Sequence, residues 1–298
     1  MRRFFRVLDP ASFETHFQQW VQSFQLDLTD KVVAIDGKSS RRSTGAAGEM
    51  FHMISAFASE AGLVLGQLKV DGKSNEITAI PQLLDMLDIM GATITLDAMG
   101  CQTKVVEKII GRKANYLIGL KGNQGTLDED VRLLFEEKPD TVRFAMSEEI
   151  DKGHGRIERR QCTITEDIQW LKERHPHWEG LRSVIEIKGT REIKGAVTVE
   201  RRYYISSLGA DSAAALSAVR QHWGIENKLH WVLDVCFGDD QSRIRKGNAP
   251  ANMAIIKKAV LNLLRLMKKE HPRISLKRMR KLAGWDGAFM DAVLRAKF

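Results

Sequence analysis

The order in which strand-like and helix-like stretches alternate between residues 31 and 137 constrains this chain more than any other feature. Lys31–Asp36 is a β-branched apolar run of the kind that fills a buried strand. His52–Ser59 and Leu63–Val70 read as two more strands, with residues 60–62 as a tight turn between them. From there the period changes. Ser74 or Asn75 is placed to cap a helix that Ile77, Ile80, Leu83, Leu84 and Leu87 continue at helical spacing. Ala92–Asp97 reads as a fourth strand, residues 101–112 as a helix and Asn115–Lys121 as a fifth strand. Thr126 then caps a helix to about Glu137, with acids in its first turn where the helix dipole favours them. Three strands on short links predict an antiparallel meander. The later strands need helical crossovers, which predicts that they run parallel to the first. The expected fold is a mixed α/β sheet flanked by helices.

The flanking segments add to this frame. Phe13, Phe17, Trp20, Val21 and Phe24 recur at helical spacing and predict a short amphipathic N-terminal helix. Residues 138–205 turn short, alternating and charged, which predicts a β-rich insertion that returns to the main sheet. Helical pattern resumes at Ser212 and continues, with breaks, to the end. The expected organisation has four parts: an N-terminal helix in 1–30, the first part of the core in 31–137, the insertion in 138–205, and the completion of the core with a helical basic C-terminus in 206–298.

Charge is unevenly spread. The chain of 298 residues carries +8, yet the segment from Gln241 onward holds fifteen Lys and Arg against three acids. That segment alone is +12, so residues 1–240 sum to −4. Asymmetry of this size points to a polyanionic partner, nucleic acid first. No apolar run approaches the ~18 residues that would span a bilayer. The basic N-terminus lacks the apolar core of a signal peptide. A soluble, cytoplasmic chain with no membrane partner is expected. Cys101, Cys162 and Cys236 show no metal-ligand spacing and no disulfide framework, so they read as reduced thiols.

Three acids stand out. Asp36 and Asp97 each follow an apolar strand and each precede a glycine closely. If the two strands are neighbours, both carboxylates reach one sheet edge, where they repel unless a cation separates them. A hard divalent ion such as Mg²⁺ resolves that repulsion, and two such ions suit phosphodiester cleavage. The plainer reading of each is a turn former or helix cap. Glu226 lies with His222, Ile225, Leu229 and Leu233 on one side of a helix, beside Trp223. An acid buried in that apolar stripe needs a metal or an internal salt bridge, for example to Lys228. His222 and His230 are eight residues apart, too far along a helix to chelate one ion together, and read as core or DNA-facing histidines.

The strings IDGK (35–38), GLVLGQLKVDGKSNEITAIPQLL (62–84), TLDAMGCQ (95–102), LIGLKGNQGTL (117–127), HGRIE (154–158), RYYISSL (202–208), HWGIENKLHWVLDV (222–235) and RIRKGNAPANMAI (243–255) resemble bacterial insertion-sequence transposases of the H-repeat-associated type. The resemblance runs from about Val7 to Leu294. It implies a ribonuclease H-like core, in agreement with the periodicity. It also implies an Asp-Asp-Glu enzyme that uses Mg²⁺, or Mn²⁺, to cleave a DNA strand and transfer it. By resemblance the three acids are Asp36, Asp97 and Glu226. Double-stranded DNA, as element ends and target, is the implied partner, and a homodimer on DNA follows from the resemblance alone. Such a protein would be nucleoid-associated when bound. Lys38, Arg41 and Arg42 after the first acid, Lys121, Asn123 and Gln124 after the fifth strand, and Arg243, Arg245 and Lys246 after the third acid are placed to meet phosphates.

Two departures are visible. Relatives carry an extra N-terminal domain ahead of the segment matching Val7, so this chain reads as shortened. Related transposases also surround the third acid with a Tyr, Arg, Glu, Lys signature, whose slots here hold Val219, His222, Glu226 and Leu233. His222 could serve as the phosphate contact in place of arginine, as a cation or a neutral donor. The alternatives are an inactive relic that retains only DNA binding, a structure-selective nuclease on the same fold, and a basic adaptor without chemistry.

Overall fold

The computed structural model describes residues 3–44, 50–70, 76–153 and 155–296. It divides into two compact units, one of residues up to Asp88 and from Trp223 onward, the other Ile89–His222.

The first unit begins with α1 (Phe4–Val7) and α2 (Pro10–Gln22). Asp9 caps α2 by accepting from the Ser12 amide at 2.9 Å, with Pro10 at the first helical position, where its missing N–H costs nothing. Then β1 (Val32–Thr44), β2 (Met50–Ala58) and β3 (Leu63–Val70) form the expected antiparallel meander. Val33, Ala34 and Ile35 are buried, as their apolar run requires. The strand does not stop at Asp36, however. Pairing with β2 continues through Gly37–Ile54 to Ser40–Phe51, so Asp36 lies in the strand interior opposite Ser55. Backbone pairing sustains a strand without apolar side chains, and the apolar run marks only its buried half. Helix α3 is seen from Glu76 to Asp85. Ser74 and Asn75, the expected caps, lie outside the described residues.

In the second unit, β4 (Thr93–Leu96) and β5 (Asn115–Leu120) pair in parallel, with α4 (Thr103–Gly111) as the crossover. Helix α5 (Gly125–Glu137) continues directly out of a 3₁₀ turn, so Gln124 holds the cap position that Thr126 was expected to take. Two long hairpins follow, β6 (Ala145–Gly153) with β7 (Arg156–Thr165) and β8 (Ser183–Ile193) with β9 (Ala196–Ser206). A short helix, α6 (Gln169–Arg174), joins them and had no signal in the alternation. β9 returns to pair antiparallel with β5, giving the order β4-β5-β9-β8-β7-β6. The element order from β1 to α5 is the one expected of a ribonuclease H-like core.

Helix α7 (Ser212–Ile225) passes through a π turn (Glu226–His230) into α8 (Trp231–Phe237), which Gly238 ends at φ 60°. The chain closes with α9 (Ala249–Glu270), α10 (Leu276–Trp285) and α11 (Gly287–Leu294). Leu264, Met267, Met279 and Val293 form a buried cluster among these last three helices. In the first unit α9 also satisfies the outer edge of β3. Asn262 accepts from the Val64 amide and donates to the Val64 carbonyl, both at 2.9 Å, and Glu14 accepts from the Gln67 amide at 2.9 Å. With Glu14 coming from α2, the two helices cover the edge at these positions and blunt it as a template for another chain. Among the described residues, no helix is long and apolar enough to cross a membrane. All three cysteines are unpaired and buried, and burial pushes the Cys101 thiol up to about 12.

Candidate active site

In the first unit, two acids far apart in sequence meet around a buried imidazole. Asp36 is half-buried on β1, fixed by the buried strand before it and by its register with Ser55. The next residue, Gly37, leaves room that a larger residue would take from its neighbours. A Cβ on Gly37 would lie 2.6 Å from both Glu76 Oε1 and His52 Nε2, a contacting pair packed against the strand at that point. Glu226 comes from the π turn. Such turns inside α-helices are rare and cluster at functional sites. Ile225, Leu229 and Leu233 are buried and carry the apolar stripe, while Glu226 stands clear of it with its side chain 55% exposed. The expected burial of Glu226 is therefore corrected. So is the pairing with Lys228, whose ammonium donates to the Ser59 carbonyl at 3.4 Å.

Glu226 faces His230 instead. His230 Nδ1 lies 3.4 Å from Glu226 Oε2 and 3.6 Å from Asp36 Oδ2. One donor atom from each of the three residues falls within 4.8 Å of the others. His230 most of all, with Lys38, holds the Glu226 carboxyl below its usual range against the opposing effect of burial. Two carboxylates this close call for a cation between them. Their oxygens, with imidazole nitrogen beside them, fit a divalent ion such as Mg²⁺ or Mn²⁺.

Lys38, two residues beyond Asp36 on the strand, is not a loose surface cation. Its ammonium lies 2.9 Å from Asp234 and 3.3 Å from Asp240. Burial works against its charge, but these acids outweigh it and raise its pKa. Behind it, Lys257 lies 2.6 Å from Asp239, a half-buried carboxyl that this lysine, Lys258 and Lys38 hold low against the opposing effect of burial.

In the second unit, Asp97 stands exposed at the end of β4. Its Oδ1 accepts from the amides of Met99 at 3.0 Å and Gly100 at 3.3 Å, so it caps the 3₁₀ turn that follows. Asn123 and Gln124 brace that turn by donating to the carbonyls of Ala98 at 2.8 Å and Cys101 at 2.6 Å. A Cβ on Gly119 would lie 3.1 Å from the Ala98 nitrogen, so glycine there lets β5 lie close beneath the turn. His222 Nδ1 is 3.0 Å from Thr95 Oγ1, two residues before Asp97. Lys121 is exposed.

Of the remaining basic residues, Arg42, Arg243, Arg245 and Lys246 are exposed, and Arg245 donates twice to the Arg42 carbonyl at 3.0 and 3.1 Å, joining the two groups. The side chain of Arg41 lies outside the described residues. The eight-residue spacing of His230 from His222 gives no hint of the cluster that His230 enters. The informative spacing is Glu226 to His230, four residues, which puts both on one helix face.

Comparison with known proteins decides the family. A family model described as "Transposase DDE domain" matches residues 9–263. The chain belongs to the DDE transposases. A putative transposase YncI of Escherichia coli O157:H7 is 41% identical over 96% of this chain and 75% of its own length. The H repeat-associated putative transposase YhhI of Escherichia coli K12 is 38% identical over 96% of this chain and 77% of its own length. Both agree with the H-repeat-associated resemblance. Among solved structures, a piggyBac transposase synaptic complex with hairpin DNA aligns over 93% of this chain and 56% of its own, at 13% identity and a TM-score of 0.48.

Proposed function

We propose that this DDE transposase cuts a DNA strand at the end of an insertion sequence and joins the freed 3′-hydroxyl to target DNA. The observation that carries the reading is the meeting of Asp36 and Glu226 around His230, in a chain whose DDE domain spans both acids. A divalent ion held there, Mg²⁺ or Mn²⁺, would activate the attacking oxygen and stabilise the leaving one in both steps. Asp36, on a strand whose pairing with β2 runs on before and after it, supplies the rigid ligand. Glu226, exposed and held ionised, supplies the second. Asp97 completes the acid set by resemblance, its turn held by two backbone amides and two amide side chains.

DNA phosphates are met by Arg41, Arg42, Lys121, Arg243, Arg245 and Lys246, contacts that add affinity and salt dependence without reading sequence. Lys38, Asn123 and His222 belong to the same proposal, although each already has an intramolecular partner. Two copies acting on a pair of ends is part of it as well.

The test is a cleavage and strand-transfer assay on DNA carrying the flanking element ends. Wild type is compared with Asp97→Ala, with Mg²⁺ and with EDTA. Metal-dependent 3′-hydroxyl ends and joined products that vanish in the variant are expected. Intact DNA with a folded, DNA-binding wild-type protein would mean a relic. Nicks without joining would mean a nuclease.

A further inference from the structure

We infer that His230 is itself a ligand of the ion held by Asp36 and Glu226, through Nδ1, and that a water shared with Ser55 fixes the tautomer that makes this possible. The inference rests on the metal-dependent reading above and concerns which atoms hold the ion.

The first observation is distance. His230 Nδ1 stands 3.4 and 3.6 Å from the two carboxylate oxygens. A charge-assisted hydrogen bond would draw these atoms to ~2.7–2.9 Å. Donors at right angles around one ion, each at ~2.1 Å, lie roughly 3 Å apart. The observed separations are those of a cluster slightly open around a cation, with the nitrogen facing both oxygens at once.

The second observation is burial. His230 is 4% exposed and sits on the π turn, so its ring has little freedom to swing away. The third is its other nitrogen. His230 Nε2 is buried with no hydrogen-bond partner among the described residues, and so is Ser55 Oγ. Ser55 is the cross-strand neighbour of Asp36. Both residues line one small cavity of about 20 Å³, together with Lys38, Ser40 and Asp239. That volume holds one water, and His230, Ser55 and Ser40 offer it polar partners within a lining that also carries Phe51, Met53 and Leu233. A metal-bound histidine ordinarily donates its second N–H to a carboxylate, carbonyl or water, which leaves the first nitrogen with its lone pair toward the ion. A water accepting from Nε2–H and bonded to Ser55 meets that requirement from the far side of the ring.

A consequence follows for the ion. Carboxylates alone suit Mg²⁺, whereas an imidazole donor shifts preference toward Mn²⁺ and later transition ions. The site should therefore bind Mn²⁺ more tightly than Mg²⁺.

The experiment uses the full chain with Mn²⁺ as the probe. Binding is followed by titration, and ligation by the ¹⁴N modulation in the electron spin echo of bound Mn²⁺. Wild type is expected to show imidazole nitrogen coupling. His230→Asn puts an amide oxygen near the position of Nδ1. It should still bind Mn²⁺, about 10-fold more weakly or worse, with the nitrogen signal gone, as scaled from the losses that accompany disturbed metal shells. Ser55→Ala should weaken binding by roughly 10-fold, with the signal retained. Thermal melts confirm that each variant is folded. Mn²⁺ binding that requires Asp36 but shows no nitrogen coupling, or coupling that survives His230→Asn, would overturn the ligand assignment and leave the proposed chemistry standing. Unchanged affinity in Ser55→Ala would overturn the water bridge. Absence of any Asp36-dependent binding would overturn both the ligand and the metal reading.

Discussion

Asp36 and Asp97 are held in opposite ways. Asp97 is fixed locally: two amides of the next turn bind it, and side chains within thirty residues brace that turn. Asp36 is fixed by packing. Its strand is buried, its neighbour is a glycine crowded by His52 and Glu76, and its partners come from a helix near the other end of the chain. A locally held carboxylate tolerates change elsewhere. One held by packing inherits every weakness of the core beneath it. The same difference separates the lysines, since Lys38 is tied to Asp234 and Asp240, 196 and 202 residues along the chain, whereas Lys121 is exposed.

The largest effect is expected at the acids themselves. Asp36→Asn, Asp97→Asn and Glu226→Gln should each lower strand cleavage by at least about 10³-fold, since every lost ~1.4 kcal/mol of transition-state stabilisation is tenfold in rate. Single-turnover cleavage with melting curves on the same samples checks this. Activity retained in Asp36→Asn would mean that the cluster around His230 is structural.

Next comes the support of each acid, where the two regions should part. Asn262→Leu leaves the Val64 amide and carbonyl without their partners at the edge of β3, two strands from Asp36. Each buried polar group left unpaired costs ~1–3 kcal/mol, so a loss of about 2–4 kcal/mol in global stability is expected by denaturant titration. Asn123→Ala removes a brace that is itself exposed and should cost only about 1 kcal/mol or less. Its effect should fall on cleavage rate, roughly 10-fold, because the turn that aims Asp97 loosens while the core stays intact. If the two variants lost stability equally, the distinction between local and packed support would be wrong.

The same distinction explains what could be read from the sequence. The Asp97 turn, the meander and the β4–α4–β5 crossover were legible because apolar runs, caps and turn residues act over a few positions. The end of β1 was misplaced because its second half is polar and exists only through pairing with β2. The exposure of Glu226 was missed because a π turn rotates residues off the 3.6-residue period that was used to count them. The role of His230 and the partners of Lys38 depend on contacts across nearly two hundred residues, for which a linear pattern carries no signal.

The smallest effect is a pH dependence confined to the packed region. Glu14 is buried on α2, where it accepts from the Gln67 amide beneath β3. Burial raises its carboxyl from the ordinary 4.5 to about 7, against the pull of the Gln67 amide and of Lys258. A carboxyl raised in the folded state keeps a proton that the unfolded chain gives up. Its contribution is complete below pH 4.5 and is lost as pH rises through about 7. Lys258, which burial lowers to about 8, acts above that window, where stability recovers as pH rises toward its ordinary 10.5. Glu14→Gln keeps the acceptor oxygen and removes the proton. The slope between pH 5 and 7, at most about 1.4 kcal/mol per unit and less for a coupled pair, should flatten in the variant. Melting temperature against pH reads this as a difference of a few degrees, roughly 2–4 °C per kcal/mol for a chain of this size. Hydrogen exchange then localises it: amides of β3 should follow the pH change, while those of the Asp97 turn, held by backbone donors to an exposed carboxylate, should not. A matching response at Met99 and Gly100 would show that the support of Asp97 is no more local than that of Asp36.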